Sequence, residues 1–354
     1  MLGRGNRQPS PARFHCGDIV TVRDLSEIVA TLDADGALEG LPFMPEMAKC
    51  CKRSFRVYRR AERTCVEGAD GPRRMENTVF LEGLRCDGTA HDGCQRGCLF
   101  FWKEAWLRPA AKEGATSTGS PAAAATDLPT RRDSRYYCQS TELAKATMDL
   151  APGNVRYYLR DLWAGETTVR RVVHMVWLAF LGFVWRRVFG EEFYRRPTGP
   201  QKKTTVVALG LQPGELVEVR SVKEIQATLD AYGRNRGLSF EREMLACCGR
   251  RYRVLRPLEK MISEISGRMI TVRNTVILEG AACRGICVQN CPRANHFFWR
   301  EAWLKRVPDG TRDHDGLPDS AAQSPACDAN LVLPVVHGDV DPLAAKPQAH
   351  NLQA

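Results

Sequence analysis

The chain has 354 residues, which is enough for two or three domains. Hydrophobic residues make up 44% and charged residues 26% of it, so a wholly disordered, a collagen-like and a polytopic membrane protein are excluded. The net charge of +10 favours an anionic partner, and the 14 cysteines are too few for a small domain packed by disulfides.

Residues 1–16 are basic and rich in proline and glycine, and we expect them to be disordered. They lack the apolar core and the small-residue cleavage site of a secretory signal, so we predict a cytoplasmic protein. Thiols stay reduced in that compartment. Cysteines that are grouped in such a chain are therefore expected to be metal ligands or redox groups, not disulfides.

An internal repeat dominates the sequence. Residues 17–107 align with residues 214–304 at a constant offset of 197 and without a gap, and 42 of these 91 positions are identical. Chance does not produce such identity, so the chain contains a duplicated domain. We predict repeat 1 over residues 17–109 and repeat 2 over residues 214–307.

Each repeat opens with a strand of alternating apolar residues, which is Ile19–Val22 in repeat 1. Asp24 and Glu27 then have the spacing of a helix capping box, and a second short helix is predicted to end at Cys50 and Cys51. Two further strands, a cysteine-containing loop and the segment FFWKEAWL follow. We expect each repeat to be a small β-rich domain, an SH3-like and partly open barrel with short helices, and the fold class to be α+β.

The chain between and after the repeats has a different composition. We predict a flexible linker over residues 110–135, a helical segment over residues 136–195 and a second linker over residues 196–213. The helical segment contains an apolar run, residues 172–185, which is bracketed by pairs of arginines. Residues 308–354 are rich in Asp, Ala and Pro, and we expect a disordered tail.

The apolar run is short for a membrane span. A helix over residues 172–185 would be about 21 Å long at 1.5 Å per residue, whereas the hydrocarbon core of a bilayer is about 30 Å thick. Arginine pairs at both ends give no orientation signal. We predict a helix that packs on the repeats or lies in the interface of the inner membrane face, with a true span as the third alternative.

The positive charge is unevenly distributed. Repeat 1 has 13 Lys/Arg against 15 Asp/Glu, whereas repeat 2 has 15 against 10, and residues 108–213 have 16 against 9. A dedicated nucleic-acid module carries positive charge on its own surface, and repeat 1 does not. The excess beside the apolar run is typical of segments that rest on anionic membranes, and nucleic-acid binding through repeat 2 stays an alternative.

Eleven of the 14 cysteines lie in the repeats. Thiolates bind zinc and iron–sulfur clusters well, and a structural zinc ion needs four such ligands in a tetrahedron. Each loop supplies three cysteines, and the end of the second short helix supplies a fourth. We predict one zinc site in each repeat, formed by Cys51, Cys86, Cys94 and Cys98 in repeat 1 and by Cys248, Cys283, Cys287 and Cys291 in repeat 2.

Two alternatives to zinc stay open, because the spacing contains no close C-x2-C pair. The cysteines are inert buried thiols in the first alternative. In the second they hold an iron–sulfur cluster or a reactive thiolate, which would make the protein a redox component of a biosynthetic enzyme system. His91, inside the first loop, is a further candidate ligand.

Two other patterns have both a structural and a functional interpretation. The FFWxEAWL segments are predicted to be core, with a stacking platform as the alternative. Arginines that alternate with apolar residues form the polar face of a strand or, alternatively, an anion-binding stripe. These arginines are Arg53, Arg56 and Arg59 in repeat 1 and Arg250, Arg253 and Arg256 in repeat 2.

The motif series VRxxxEIxATLD, CCxRx(F/Y)RV, NTVxLEGxxC and FFWxEAWL resembles an uncharacterised family of bacterial cysteine-containing proteins. The resemblance covers both repeats, which are roughly half of the chain, and it implies no particular activity. The sequence also has no nucleophile elbow, P-loop, zinc-protease or dinucleotide motif. We therefore expect a non-enzymatic accessory or interaction protein that binds a protein partner or an anionic surface.

The zinc prediction can be tested by elemental analysis of the pure protein, which should contain two zinc ions per chain. Structural zinc contributes on the order of 10–16 kcal/mol in small fingers, which exceeds the net stability of many domains. Replacing Cys86 or Cys283 with serine should unfold one repeat and reduce the zinc content to one ion. A metal-free wild type whose cooperative melting is unchanged by a chelator would contradict the prediction.

Overall fold

The computed structural model describes residues 14–69, 71–110, 128–150, 162, 169–189, 196–285 and 291–307. The strands of the first part are Ile19–Val22 (β1), Ala37–Leu38 (β2), Leu41–Pro42 (β3), Ser54–Arg60 (β4), Arg63–Thr64 (β5), Arg73–Arg74 (β6), Thr78–Arg85 (β7), Leu99–Lys103 (β8), Leu107–Pro109 (β9), Arg131–Arg132 (β10), Arg135–Tyr136 (β11) and Met148–Asp149 (β12). The strands of repeat 2 are Leu216–Val219 (β13), Arg234–Asn235 (β14), Leu238–Ser239 (β15), Arg251–Pro257 (β16), Lys260–Ile262 (β17), Met269–Thr271 (β18), Thr275–Ala282 (β19), His296–Arg300 (β20) and Leu304–Arg306 (β21).

The described α-helices are short, with one exception. They are Leu25–Val29 (α1), Gln139–Glu142 (α2), Val169–Phe189 (α3) and Val222–Gln226 (α4). Single turns of 3-10 helix lie at Pro45–Cys50, Glu104–Trp106, Arg242–Cys247 and Glu301–Trp303.

A five-stranded antiparallel sheet forms the centre of each repeat. The strand order is β8-β7-β4-β1-β9 in repeat 1 and β20-β19-β16-β13-β21 in repeat 2, so the first strand of the sheet pairs with the last. Register shifts fall at equivalent places, between Val57 and Arg59 and between Val254 and Arg256, and such bulges bend a sheet. The prediction of two similar β-rich domains with short helices is therefore confirmed.

The predicted capping boxes are present in both repeats. The Asp24 carboxylate accepts a hydrogen bond from the Ser26 backbone N–H, and the Glu27 carboxylate accepts one from the Asp24 N–H at 3.0 Å. Ser221 and Glu224 make the reciprocal pair at the start of α4. These local bonds satisfy backbone donors that a helix of five residues otherwise leaves unpaired.

The FFWxEAWL segments are core, as predicted. Trp102 and Trp106 are fully buried, and both pack edge-on against Phe43 with ring centroids 6.3 and 5.3 Å apart. Repeat 2 has the same arrangement, with Trp299 and Trp303 at 6.2 and 5.2 Å from the ring of Phe240. Buried aromatic area of this kind supplies much of the stability of a small domain, so these rings are not a stacking surface.

Residues 128–150 differ from both predictions that covered them. Instead of linker and helix, they form the β10–β11 hairpin, the four-residue helix α2 and strand β12. The Gln139 carboxamide accepts from the Phe101 N–H at 2.9 Å and donates to the Phe101 carbonyl at 2.8 Å. The carboxamide therefore pairs with the backbone N–H and carbonyl of edge strand β8 as a neighbouring strand would. A contact made by one side chain gives no periodic pattern in the sequence.

Residues 196–213, predicted as a linker, pack on repeat 2. The backbone N–H groups of Gly210 and Leu211 donate to the Glu301 carboxylate at 3.2 and 3.1 Å, and Leu211 is buried. In repeat 1 the N–H of Phe14 donates to the equivalent Glu104. Each repeat therefore begins at least three residues before the start of the sequence alignment.

The apolar run of residues 172–185 lies within α3, which has 21 residues. No helix in the described part of the chain is long and apolar enough to cross a bilayer.

Candidate functional site at the interface of the two repeats

The loop that carries the predicted ligands has equivalent glycines, Gly88 and Gly285, at the same place in the two repeats. Gly88 has a φ of +71°, and a Cβ added to it would lie 2.1 Å from the Cys94 carbonyl oxygen. Gly285 has the same φ, and its added Cβ would lie 2.0 Å from the Cys291 carbonyl oxygen. Only glycine fits these positions, because each glycine lies directly against the backbone of the cysteine six residues further along the chain.

The third cysteine of the loop occupies different positions in the two repeats. This is possible because the residue at the position of Cys98 contributes its backbone carbonyl to the fold, not its side chain. The Cys86 N–H donates to the Cys98 carbonyl at 2.8 Å, and the Cys283 N–H donates to the Asn295 carbonyl at the same distance. Cys98 and Asn295 are equivalent positions. The hydrogen bond is the same whichever side chain is present, so it does not require a thiol at that position.

The predicted ligands of repeat 1 lie in different surroundings. The Cys86 thiol faces the Glu46 carboxylate at 3.9 Å, the Cys98 thiol faces the Ser140 hydroxyl at 3.9 Å, and the Cys94 sulfur accepts from the Ile262 N–H at 3.3 Å. The described residues contain no group of three or more His, Cys, Asp or Glu side chains placed to hold a metal ion. The structure therefore does not bring Cys51, Cys86, Cys94 and Cys98 together as one donor set.

In repeat 2, Cys287 lies outside the described residues, while Cys248, Cys283 and Cys291 lie within them. Burial raises the pKa of Cys51 and of Cys248 to about 12 and also raises the pKa of Cys86 and Cys283, so the neutral thiol is favoured at each. Zinc at these residues stays a prediction from their spacing.

His91 holds the first loop against the body of repeat 1. Its Nδ1 lies 2.6 Å from the Glu46 carboxylate, and its Nε2 lies 3.1 Å from the Tyr137 carbonyl oxygen. Burial alone would lower the pKa of His91, but the hydrogen bond to Glu46 and its charge outweigh burial and raise it. One ring nitrogen is thus engaged in a buried ion pair and the other in a hydrogen bond to a backbone carbonyl, so neither is turned towards the cysteines.

The arginines of the predicted stripe do not share one environment. Arg56 and Arg253 are exposed, and each donates to the carbonyl of the glycine that precedes the first strand, at 3.2 and 3.1 Å. The bulge after Val254 turns the next arginine of repeat 2, Arg256, towards repeat 1, where it donates to the Gln95 carbonyl. Of the others, Arg53 lies over the Phe55 ring, Arg59 is half-buried and Arg250 is exposed.

Three basic residues of repeat 2, Arg251, Lys305 and Arg300, make contacts within the repeat. Glu218 pairs with Arg251 at 3.8 Å and with Lys305 at 2.8 Å. Arg300 is buried and donates to backbone carbonyls and to the Thr275 hydroxyl. Nucleic-acid binding through repeat 2 stays a prediction from its charge.

The two repeats pack through equivalent positions. Cys94 of repeat 1 meets Ile262 of repeat 2, and Cys291 of repeat 2 meets Cys65 of repeat 1, with each pair related by the offset of 197. Near the centre of the interface, the Glu67 N–H donates to the Glu264 carboxylate at 2.8 Å. The repeats are therefore related by an approximate twofold axis, as the subunits of a homodimer would be.

A buried ion pair lies at this centre. The Arg293 guanidinium donates to both oxygens of Glu264, at 3.1 and 2.8 Å, and only 4% of either residue is exposed. Arg96 of repeat 1 donates to the same carboxylate at 3.3 Å, and the Ser140 hydroxyl donates at 3.1 Å. Burial alone would raise the pKa of Glu264, but the charge of Arg293 and its hydrogen bond lower it.

Two thiols lie beside the ion pair. The sulfur atoms of Cys65 and Cys291 are 3.6 Å apart, and Arg293 donates to the Cys65 carbonyl at 2.7 Å and approaches the Cys65 sulfur at 3.8 Å. The hydrogen bond from the Cys291 thiol and the charge of Arg293 lower the pKa of Cys65 to about 6. The thiol of Cys291, as the buried donor, has its pKa raised.

Cys94, Cys291 and Arg256 were predicted as site residues for other reasons, whereas the charged residues at the centre of this interface and Cys65 were not predicted. Glu67 and Glu264 are equivalent and identical, as are Arg96 and Arg293, in stretches that otherwise diverge between the repeats. That retention of charged loop residues was the available signal. Cys65 left no signal of this kind, because its equivalent in repeat 2 is Ile262.

Comparisons with protein-family models, with curated proteins and with solved structures found no match. The resemblance to a bacterial family of cysteine-containing proteins stays a prediction from the motifs.

The Glu264–Arg293 ion pair predicts a loss of stability when its carboxylate is neutralised, and the equivalent residue Glu67 provides the control. Glu264→Gln leaves Arg293 buried beside a neutral group and should lower the free energy of unfolding by about 3–5 kcal/mol. Glu67→Gln changes the equivalent carboxylate, whose side chain is 50% exposed, and should cost less than about 1 kcal/mol. Urea unfolding measures both, and equal losses would contradict the assigned role of Glu264.

Proposed function

We propose that the protein is a non-enzymatic accessory protein whose paired repeats form a scaffold that α3 attaches to an anionic membrane surface. The observation that carries the proposal is the exposure of apolar side chains along α3. The proposal does not depend on zinc, which would stabilise the repeats without changing the attachment.

The described side chains of α3 are mostly apolar and exposed. Trp177, Phe180 and Phe183 are 55%, 54% and 69% exposed. The other large apolar side chains exposed on the helix are Val169, Val173, Val176, Val184, Trp185 and Val188. Soluble proteins rarely leave an apolar patch of this extent in contact with water, and such patches mark interaction surfaces.

These exposures bear on the alternatives that the sequence left open. A helix packed on the repeats would still leave the exposed apolar side chains named above in water. Placing them in the membrane interface removes them from water without requiring the length of a span. The interface alternative is therefore the one that the exposed side chains support.

The charge around α3 favours an anionic lipid surface over an apolar protein groove. Arginine pairs bracket the apolar run at residues 170–171 and 186–187, and no acidic residue occurs between Glu166 and Glu191. Each basic residue near an anionic leaflet contributes about 1 kcal/mol. Tryptophan, present here at positions 177 and 185, prefers the headgroup region of a bilayer.

We further propose that the scaffold repeats are SH3-like barrels. The support is a five-stranded antiparallel sheet whose first strand pairs with its last, with a turn of 3-10 helix just before that last strand. This likeness concerns the fold and by itself implies no ligand.

Sedimentation with lipid vesicles tests the attachment. The wild type should bind vesicles of phosphatidylcholine with phosphatidylglycerol and bind those of phosphatidylcholine alone more weakly. Trp177→Glu combined with Phe180→Glu should abolish binding, because charged groups resist transfer into the interface. The matched control is Tyr232→Glu, at a side chain that is 76% exposed on repeat 2, and it should bind as the wild type does.

A separate variant tests how much the arginines beside the apolar run contribute to vesicle binding. Arg170→Gln with Arg187→Gln should weaken binding to the anionic vesicles by about fivefold per arginine at low salt, and the loss should shrink as salt is added. Equal sedimentation of the wild type and the Trp177/Phe180 variant would overturn the proposal. So would binding of α3 to a protein partner with no affinity for vesicles, or extraction from cells only by detergent after alkaline carbonate.

A further inference from the structure

We propose that Cys65 and Cys291 are a modification site at which a hydroperoxide forms a reversible disulfide between the two repeats. This inference is independent of the membrane attachment. It rests on the position of the two thiols, on the guanidinium beside them and on the difference between the two equivalent contacts of the interface.

The two thiols belong to different repeats but already touch. Cys65 directly follows β5 of repeat 1, and Cys291 lies in the loop between β19 and β20 of repeat 2, 226 residues further along the chain. Their sulfur atoms are 3.6 Å apart, and a disulfide bond is about 2.05 Å long. Formation of the bond would bring the two sulfur atoms closer by about 1.5 Å.

The two thiols also differ in their access to solvent, which gives each a role. Cys65 is partly exposed, whereas Cys291 is 3% exposed. A hydroperoxide in solution therefore reaches Cys65 first. The Arg293 guanidinium lies 3.8 Å from the Cys65 sulfur, so a positive charge stands beside the atom that the hydroperoxide meets.

The reaction balances without a cofactor. The Cys65 thiolate attacks the terminal oxygen of the hydroperoxide, the O–O bond breaks, the alcohol leaves with a proton, and Cys65 becomes a sulfenic acid. The Cys291 thiol then attacks that sulfur, the S–S bond forms and water leaves. Two thiols are oxidised and one hydroperoxide is reduced, and a small dithiol such as dithiothreitol reverses the modification by exchange.

The duplication supplies an internal comparison. Cys94 is the equivalent of Cys291, and it meets Ile262 where Cys291 meets Cys65. Only one of the two equivalent contacts therefore has a second thiol. Oxidation should join the repeats at that contact, beside the Glu264–Arg293 ion pair, and leave the contact of Cys94 unchanged.

The test uses the full chain, hydrogen peroxide, alkylation of the remaining thiols under denaturing conditions, and peptide mass spectrometry without reduction. The wild type should give a cross-linked peptide that contains Cys65 and Cys291, and dithiothreitol should remove it. Because the bond closes a very long loop, the melting temperature should rise by about 5–15 °C on oxidation and fall back on reduction.

Two variants distinguish the Cys65–Cys291 disulfide from oxidation of other cysteines in the chain. Cys65→Ser should give neither the cross-link nor the rise in melting temperature. Cys50→Ser, which removes a thiol that belongs neither to the cross-link nor to a predicted zinc site, should still give both. Peptide mapping of the wild type decides the question even if Cys65→Ser fails to fold. A peroxide-induced disulfide elsewhere, an unchanged rise in Cys65→Ser, or release of zinc from Cys291 in place of the cross-link would overturn the proposal.

Discussion

The Glu264 carboxylate is removed from water at a point where three parts of the chain meet. Burying a charge of this kind costs several kcal/mol unless fixed donors replace the lost water. The donors come from repeat 2 through Arg293, from repeat 1 through Arg96 and the Glu67 N–H, and from the segment after repeat 1 through Ser140. No single part supplies all of them, so the packing of each part depends on the others.

The approximate twofold axis places equivalent residues of the two repeats in one interface. The two halves of that interface nevertheless differ in burial and in side chains. Equivalent residues meet on both sides of the axis, but Glu264 is buried while Glu67 is half-exposed. The thiols follow the same asymmetry, since Cys291 faces a second thiol and the equivalent Cys94 does not. A duplicated chain can change one side of such an interface alone, whereas a homodimer must change both.

The parts of the fold that were predictable are those that local patterns encode. Capping boxes, the aromatic core and the repeat itself depend on spacings of a few residues or on direct identity. The interface was not predictable, because Cys65 and Cys291 are 226 positions apart and nothing in a single sequence says that they meet. The attachment of residues 128–150 depends on one carboxamide, that of Gln139, which imitates a strand and has no periodicity.

Scanning calorimetry of the full reduced chain tests most directly whether the buried carboxylate makes the two repeats one unit. A cooperative unit melts in a single transition whose calorimetric enthalpy equals the van't Hoff enthalpy. We predict one transition that covers both repeats, with a ratio of the calorimetric to the van't Hoff enthalpy of about one. Two separate transitions, or a single peak with a ratio of about two, would show that the repeats unfold independently and would contradict the account.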